Sequence, residues 1–358
     1  MVLKITKCEK SRINDVDFNN LSFGKEISDH VFIAEFDGNS WINERIQPYT
    51  PLQLNISLSA LHYGQSIFEG LKAFRDINNQ IQIFRPIDNF KRMNLSAKRM
   101  CMQEIPEELF FKGLNHLCNI DKNWISNKQG NSFYLRPLLF ATDESLGVHA
   151  SKKYIFAIFG CAVGAYYSKS LKIKVETNFT RACIGGTGEA KTAGNYAASL
   201  LAAKIASEQG FDQILWTDSI EHKYIEELGS SNIFILSDKN LITPQTSGTV
   251  LKGITRDSVI KLAKSMNYNV EERKISIDEI FELSTQQKLT EVFATGTAAT
   301  IVSIKELNYN GNSIFINQKN DTLSSILKNK LDEIKHSKTA DIFGWNYTVK
   351  INEPSTSF

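Results

Sequence analysis

One lysine stands apart from the other basic residues by its surroundings. Residues 181–196, RACIGGTGEAKTAGNY, hold four glycines and Lys191 just ahead of a helical pattern. Glycines before a helix suggest phosphate binding, and Gly185, Lys191 and Thr192 fit the nucleotide loop G-x-x-x-x-G-K-[ST]. Ala190, however, occupies the position where that loop needs glycine for its close backbone turn, and no apolar strand ending in a magnesium-binding aspartate is evident downstream. Taken alone, the segment also reads as a glycine-rich turn carrying a solvated lysine. Metal chemistry finds no matching pattern: the histidines form no H-E-x-x-H, and Cys8, Cys101, Cys118, Cys161 and Cys183 form no C-x-x-C.

Other pieces of the chain decide between these readings. GEAKTAGNY, IEELGSSNIF (225–234), LKGITRDS (251–258) and EVFATGTAA (291–299) occur in that order. Together they resemble the signature segments of fold-type IV pyridoxal 5'-phosphate enzymes. LHYGQSIFEGLKAF (61–74), FRPIDNFKR (84–92), YLRPL (134–138) and SLGV (145–148) are similar to segments of branched-chain amino-acid aminotransferases. The resemblance runs from about Phe23 to Trp345. It implies an α+β, two-domain fold-type IV enzyme with the cofactor at the domain interface. The implied reaction moves the amino group of L-leucine, L-isoleucine or L-valine to 2-oxoglutarate by a ping-pong route. The alternatives on the same fold are a D-amino-acid aminotransferase or an aminodeoxychorismate lyase; a P-loop nucleotide-binding protein is the remaining rival.

The resemblance also implies roles that chemistry can rationalise. An aldehyde cofactor needs an amine, which Lys191 provides; small neighbours and burial favour its neutral form. The pyridine nitrogen needs a carboxylate, and Glu227, ahead of L-G-S-S-N, stands at the matching position. Glu226 beside it would face the other way in a strand. Arg85 matches the phosphate arginine, with Ile254 and Thr255 giving backbone donors at a helix N-terminus and Thr297 a hydroxyl. Tyr196 matches the tyrosine on the cofactor's phenolic oxygen. The substrate pocket is expected to use Phe23, Tyr63, Phe68, Tyr134, Arg136, Tyr166 and Ala298. Leu146 and Val148, like Tyr63, are expected to reach a neighbouring subunit's site in a homodimer.

These residues must be positioned by ordinary secondary structure. The 358 residues carry 41 basic and 39 acidic side chains and are 42% hydrophobic. That balance disfavours disorder and a nucleic-acid partner held by a basic surface. The longest weakly polar stretch, Tyr154–Tyr167, is too short to span a bilayer, and no secretory signal is visible, so a cytoplasmic enzyme is expected. Strands are predicted over 30–36, 80–85, 132–140 and 154–162, and helices over 86–100 and 106–120. The division expected is a smaller domain over 1–166, a polar linker over 167–179 and a larger domain over 180–358. The second half is predicted to carry helices over 193–209, 256–266, 278–283 and 322–335, with strands over 213–217, 232–236 and 291–295.

Overall fold

The computed structural model describes residues 3–350 apart from 165, 166, 168 and 318–320. The chain divides into two compact units. Met1–Tyr166, Lys191–Ala193 and Asp332–Phe358 form one; Tyr167–Ala190 and Gly194–Leu331 form the other.

The first unit is a mixed sheet with helices packed against it. Its strands are β1 (Lys4–Ile5), β2 (Glu26–Phe36), β3 (Trp41–Pro48), β4 (Ser66–Phe68), β5 (Leu71–Arg75), β6 (Ile81–Phe84), β7 (Ser132–Ala141) and β8 (Tyr154–Val163). With a terminal strand, Asn346–Thr348, they order as β1-β3-β2-β8-β7-β5-β6-terminal, and β4 pairs with β7. Neighbours are antiparallel except for β1 beside β3. The helices are α1 (Ser59–Tyr63), α2 (Pro86–Arg99) and α3 (Glu107–Ile120). Helix α3 buries Leu109, Phe110, Leu114 and Leu117 against Phe32, Phe156 and Ile158 of the sheet. Gly113 permits this approach, since a Cβ there would meet Phe32 Cδ1 at 2.7 Å. Helix α2 starts with Pro86, whose missing N–H costs nothing in a first turn.

The second unit carries β9 (Leu171–Val175), α4 (Ala193–Ala198), α5 (Leu200–Glu208), β10 (Gln213–Thr217), β11 (Ile225–Leu228), β12 (Asn232–Ser237), β13 (Asn240–Thr243), α6 (Ile254–Ser265), β14 (Asn269–Glu272), α7 (Ile277–Thr285), β15 (Leu289–Gly296), β16 (Thr300–Tyr309) and β17 (Asn312–Phe315). Its sheet orders as β11-β10-β9-β16-β15-β12-β13-β14, with β17 beside β16. Helix α8 (Leu323–Lys335) follows; its last residues, from Asp332, belong to the first unit. No helix among the described residues is long and apolar enough to cross a membrane.

Three local features differ from the pattern-based expectation, each for a physical reason. The segment expected to be a linker contains β9, because Leu171, Ile173 and Val175 alternate with lysines and are buried in the second core. Strand β2 begins four residues early, at Glu26. Two of the added residues, Ser28 and Asp29, are polar yet buried, and Asp29 accepts from Ser11 and Trp124. The helix expected over 193–209 is interrupted at Ser199. Its N–H and hydroxyl both bond the Tyr196 carbonyl, three residues back, instead of continuing the four-residue ladder.

Candidate active site

Lys191 is fixed through its main chain to the first unit. Its N–H donates to Ser96 Oγ of α2 at 2.9 Å, and its carbonyl accepts from Phe68 N of β4 at 3.0 Å. Thr192 continues the attachment, bridging Ile67 and donating its hydroxyl to the Ser66 carbonyl. The lysine Nζ lies 4.7 Å from the Phe68 ring centroid. A strand edge and a helix therefore set the lysine's position before any ligand binds.

From Phe68 a line of contacts leads through the residues expected to meet substrate. The Arg136 guanidinium lies 4.6 Å above the same ring, and Arg136 Nη2 donates to Tyr134 Oη at 3.1 Å. Tyr134 and Arg136, two apart in β7, share a face of the sheet. Phe23 meets Tyr134 edge-on at 5.0 Å. Gly70 is required beneath them, because a Cβ would lie 2.0 Å from Tyr134 Oη. Arg136 Nε is buried with no hydrogen-bond partner among the described residues, a donor available to an anionic ligand. Tyr63 is joined instead to the 145–148 loop, donating to the Leu146 carbonyl at 2.5 Å. Tyr63 is 41% exposed, Leu146 74% and Val148 82%, so this pair of segments forms an apolar surface. Tyr166 lies outside the described residues.

Arg85 caps α2 in the left-handed region, at φ 52° and ψ 44°. This conformation costs a non-glycine residue roughly 1–2 kcal/mol and turns the chain sharply from β6 into the helix. The side chain is buried, donates from Nε to Asp88 Oδ2 at 2.8 Å and lies 5.3 Å from the Trp345 ring centroid.

In the second unit the two adjacent glutamates are treated differently. Glu227, 3% exposed, pairs through Oε1 with Arg181 Nη2 at 2.9 Å and accepts Leu251 N at 3.2 Å. Its Oε2 accepts Asn232 Nδ2 at 3.0 Å. Glu226 also lies in β11, but its Oε2 has no partner in the structure. Burial pushes its carboxyl above the ordinary range, with a Thr249 hydrogen bond and Arg181 opposing only in part. Glu227 is thus the glutamate whose two oxygens are both engaged.

Arg181 also donates to the Thr249 carbonyl at 2.8 Å and to the Gly188 carbonyl at 3.2 Å. It ties the glycine-rich segment to the approach of α6. That helix begins two residues earlier than its pattern suggested, at Ile254, so Ile254 and Thr255 form its first turn. No side chain caps it, and its N-terminus is electropositive. Gly253 gives the necessary clearance, since a Cβ would lie 1.9 Å from Asn232 Oδ1. Asn232 therefore supports both Glu227 and the start of α6. Thr297 and Ala298 lie in the turn between β15 and β16. Its Gly296 packs within 3.3 Å of Ser230 O and Ser231 Cβ, measured from where a Cβ would stand. Tyr196 lies in α4, half-buried.

Each unit by itself carries groups of the kind pyridoxal 5'-phosphate needs: the first an amine held against an aromatic ring and a buried guanidinium, the second a buried carboxylate paired with Arg181, an electropositive helix N-terminus, a phenol and a threonine hydroxyl. Sequence reasoning did not single out Asn89, Arg92, Ser96, Arg181 or Asn232. A signal existed for three of them: positions 89, 92 and 96 form a polar stripe at helical spacing on α2, yet are buried.

Comparison with known proteins agrees with this geometry. The amino-transferase class IV family model matches residues 66–307. Branched-chain-amino-acid transaminase 1 of Bacillus subtilis (strain 168) is 44% identical over 339 residues, covering 93% of this chain and 95% of that protein. The branched-chain-amino-acid aminotransferase of Mycolicibacterium smegmatis is 40% identical over 336 residues, covering 91% of each. Among solved structures, a branched-chain amino acid aminotransferase from T.th., complexed with N-(5'-phosphopyridoxyl)-L-glutamate, matches with a TM-score of 0.71. It is 26% identical and covers 89% of this chain and 98% of that one. The Escherichia coli branched-chain enzyme, at 24% identity and a TM-score of 0.74, shares the fold. With residues, fold and relatives in agreement, the chain belongs to the class IV aminotransferases.

Proposed function

We propose that this protein is a pyridoxal 5'-phosphate-dependent transaminase that moves the amino group of L-leucine, L-isoleucine or L-valine to 2-oxoglutarate. The observation carrying this reading is the 44% identity over 339 residues to a branched-chain-amino-acid transaminase. When bound, the cofactor supplies an aldehyde for the substrate amine and a ring that withdraws electrons from the substrate α-carbon. Lys191 would hold the cofactor and, once released by the substrate amine, move the substrate α-proton to the cofactor's C4′ carbon. Glu227, paired with Arg181, would hold the ring nitrogen's proton. Arg85, the Ile254–Thr255 turn and Thr297 bind the phosphate, and Tyr196 donates to the phenolic oxygen.

Phe23, Phe68, Tyr134 and Tyr166 wall the side-chain pocket in this reading. Branched aliphatic groups favour such dry surfaces over water. Arg136, with its partnerless buried Nε, and the turn at Thr297–Ala298 receive substrate carboxylates. The acceptor 2-oxoglutarate carries a second carboxylate, which Arg136 and Tyr134 accommodate. Release of the branched 2-oxo acid before the acceptor binds makes the scheme ping-pong. The exposed Tyr63, Leu146 and Val148 pack on a second copy, giving a homodimer with loops exchanged across it. The near-neutral charge balance supports a cytoplasmic enzyme.

The test is a set of parallel assays on purified protein supplied with pyridoxal 5'-phosphate. Glutamate formation from L-leucine and 2-oxoglutarate is the expected result. Silence with L-leucine and turnover of D-alanine or aminodeoxychorismate instead would reassign the substrate class within the family.

A further inference from the structure

The proposed reaction leaves unused a group of buried charges behind the lysine. Glu69 has 0% of its surface exposed. Arg92 grips it with two parallel bonds, Nε to Oε1 at 2.7 Å and Nη2 to Oε2 at 2.8 Å. Asn89 Nδ2 at 2.7 Å and Gly70 N at 3.1 Å complete the Oε2 coordination. The preceding residue, Phe68, holds the Lys191 carbonyl through its N–H and supports Nζ with its ring. Asn89, Arg92 and Ser96 lie at helical spacing on one face of α2, and Ser96 receives the Lys191 N–H. A single helix face thus grips the carboxylate and the lysine's backbone together.

Burial by itself would drive the Glu69 carboxyl upward. Arg92, then Lys191 and Asn89, more than offset this and hold it below the ordinary glutamate value of 4.5, so it is ionised at neutral pH. Left without Arg92, such a carboxylate would seek another cation. Within the first unit, the other charged groups on elements around the lysine include Arg136 of β7, Lys72 and Arg75 of β5, and Arg85, Asp88, Lys91, Lys98 and Arg99 of α2 and its cap.

We propose that Glu69 and Arg92 are positioning residues for Lys191: Arg92 occupies both oxygens of the buried carboxylate, so that the lysine amine stays against Phe68 instead of swinging onto Glu69. The catalytic meaning of this arrangement rests on Lys191 being the working lysine of the proposed transaminase. The pair acts through charge, which gives its two halves opposite signatures. Glu69→Gln removes an attraction for the ammonium form, and Lys191 then becomes reactive at lower pH. Arg92→Met uncovers Glu69, which captures the lysine and delays its reactivity to higher pH. Arg92→Lys keeps a cation in place and stays near the wild type.

The experiment measures the rate at which trinitrobenzenesulfonate modifies Lys191 in the cofactor-free full-length chain, as a function of pH, with the site read by peptide mapping. Glu69→Gln and Arg92→Met are each expected to move the midpoint by one pH unit or more, in opposite directions, which is about a tenfold rate change below the midpoint. Midpoints that stay fixed, or that move together in one direction as general loosening would produce, overturn the proposal. Should Arg92→Met fail to fold, the Glu69→Gln/Arg92→Met double variant, which keeps neither charge, must bring the midpoint back near the wild-type value and above that of Glu69→Gln; a midpoint that stays with Glu69→Gln overturns the idea. A wild-type chain that binds no pyridoxal 5'-phosphate but keeps the opposed shifts would remove the transaminase reading and leave the positioning role standing.

Discussion

Replacing each of the neighbouring glutamates of β11 by glutamine should give unequal results, and the structure says by how much. Glu227 accepts three donors: Arg181 and Leu251 N on Oε1, Asn232 on Oε2. In Glu227→Gln the new amide must point its NH2 at one of these donor groups whichever way it turns. Asn232 cannot flip to help, because its Nδ2 also donates to the Leu251 carbonyl at 3.0 Å. Arg181 meanwhile keeps its buried charge with only carbonyl partners. Breaking one side of a buried pair costs about 3–5 kcal/mol. For domains of this size that lowers the melting midpoint on the order of 10 °C. Glu226→Gln removes a charge whose ionised form burial already penalises, and should leave the midpoint within about 2 °C of wild type or raise it. Thermal unfolding of cofactor-free protein at pH 7 reads this difference, and turnover with L-leucine should follow the same order. A larger loss in Glu226→Gln than in Glu227→Gln would refute the assignment of the ring-nitrogen carboxylate.

Four further outcomes follow from the same geometry. Lys191→Ala should abolish transamination and the visible absorption of the bound cofactor while circular dichroism stays native; retained turnover would reject the lysine. Gly70→Ala places a methyl 2.0 Å from Tyr134 Oη, so that ring must move; overpacking of this kind costs about 1–3 kcal/mol, and KM for L-leucine should rise more than kcat falls. Glu69 has a folded-state carboxyl below its unfolded value, so its contribution is complete above pH 4.5 and is lost as pH falls through the lower folded value. Melting curves from pH 7 down to pH 3 should therefore fall less steeply in Glu69→Gln than in wild type. Asp substituted for Leu146 and Val148 together should shift the protein toward monomer in analytical ultracentrifugation and reduce turnover; an unchanged dimer would remove this surface from the interface.

Much of the proposed site was legible because its candidate groups are local in sequence. The segment around Lys191, the E-L-G-S-S-N turn and the start of α6 each hold their candidate groups within ten residues. Strand β7 was equally plain, since Tyr134, Arg136 and their apolar neighbours alternate cleanly. What stayed hidden depends on partners far away in the chain. Asp29 broke the apolar pattern at the start of β2, because Ser11 and Trp124, distant in sequence, satisfy it. Arg92 looked like one more charged residue on an amphipathic helix until β5's neighbour Glu69 appeared beneath it. The alternation in β9 was present, but its lysines masked it as a polar connector. Polar residues with distant partners read as surface in any linear pattern.

The tripeptide Lys191–Ala193 is counted with the first unit although the residues on both sides of it belong to the second. A fragment ending at residue 166 would lack the reactive amine, the Thr192 attachment to β4 and the terminal strand beside β6. This architecture resists modular exchange: a hybrid built by joining 1–166 of one relative to the remainder of another would have to reconcile β4 and α2 of one parent with the 191–193 stretch of the other. It also ties assembly of the first unit to synthesis of the second, since the first unit's final strand leaves the ribosome after the whole of the second unit. Proteins whose parts close only through sequence-distant contacts fold slowly, and this chain should show its lysine environment forming in the slowest refolding phase.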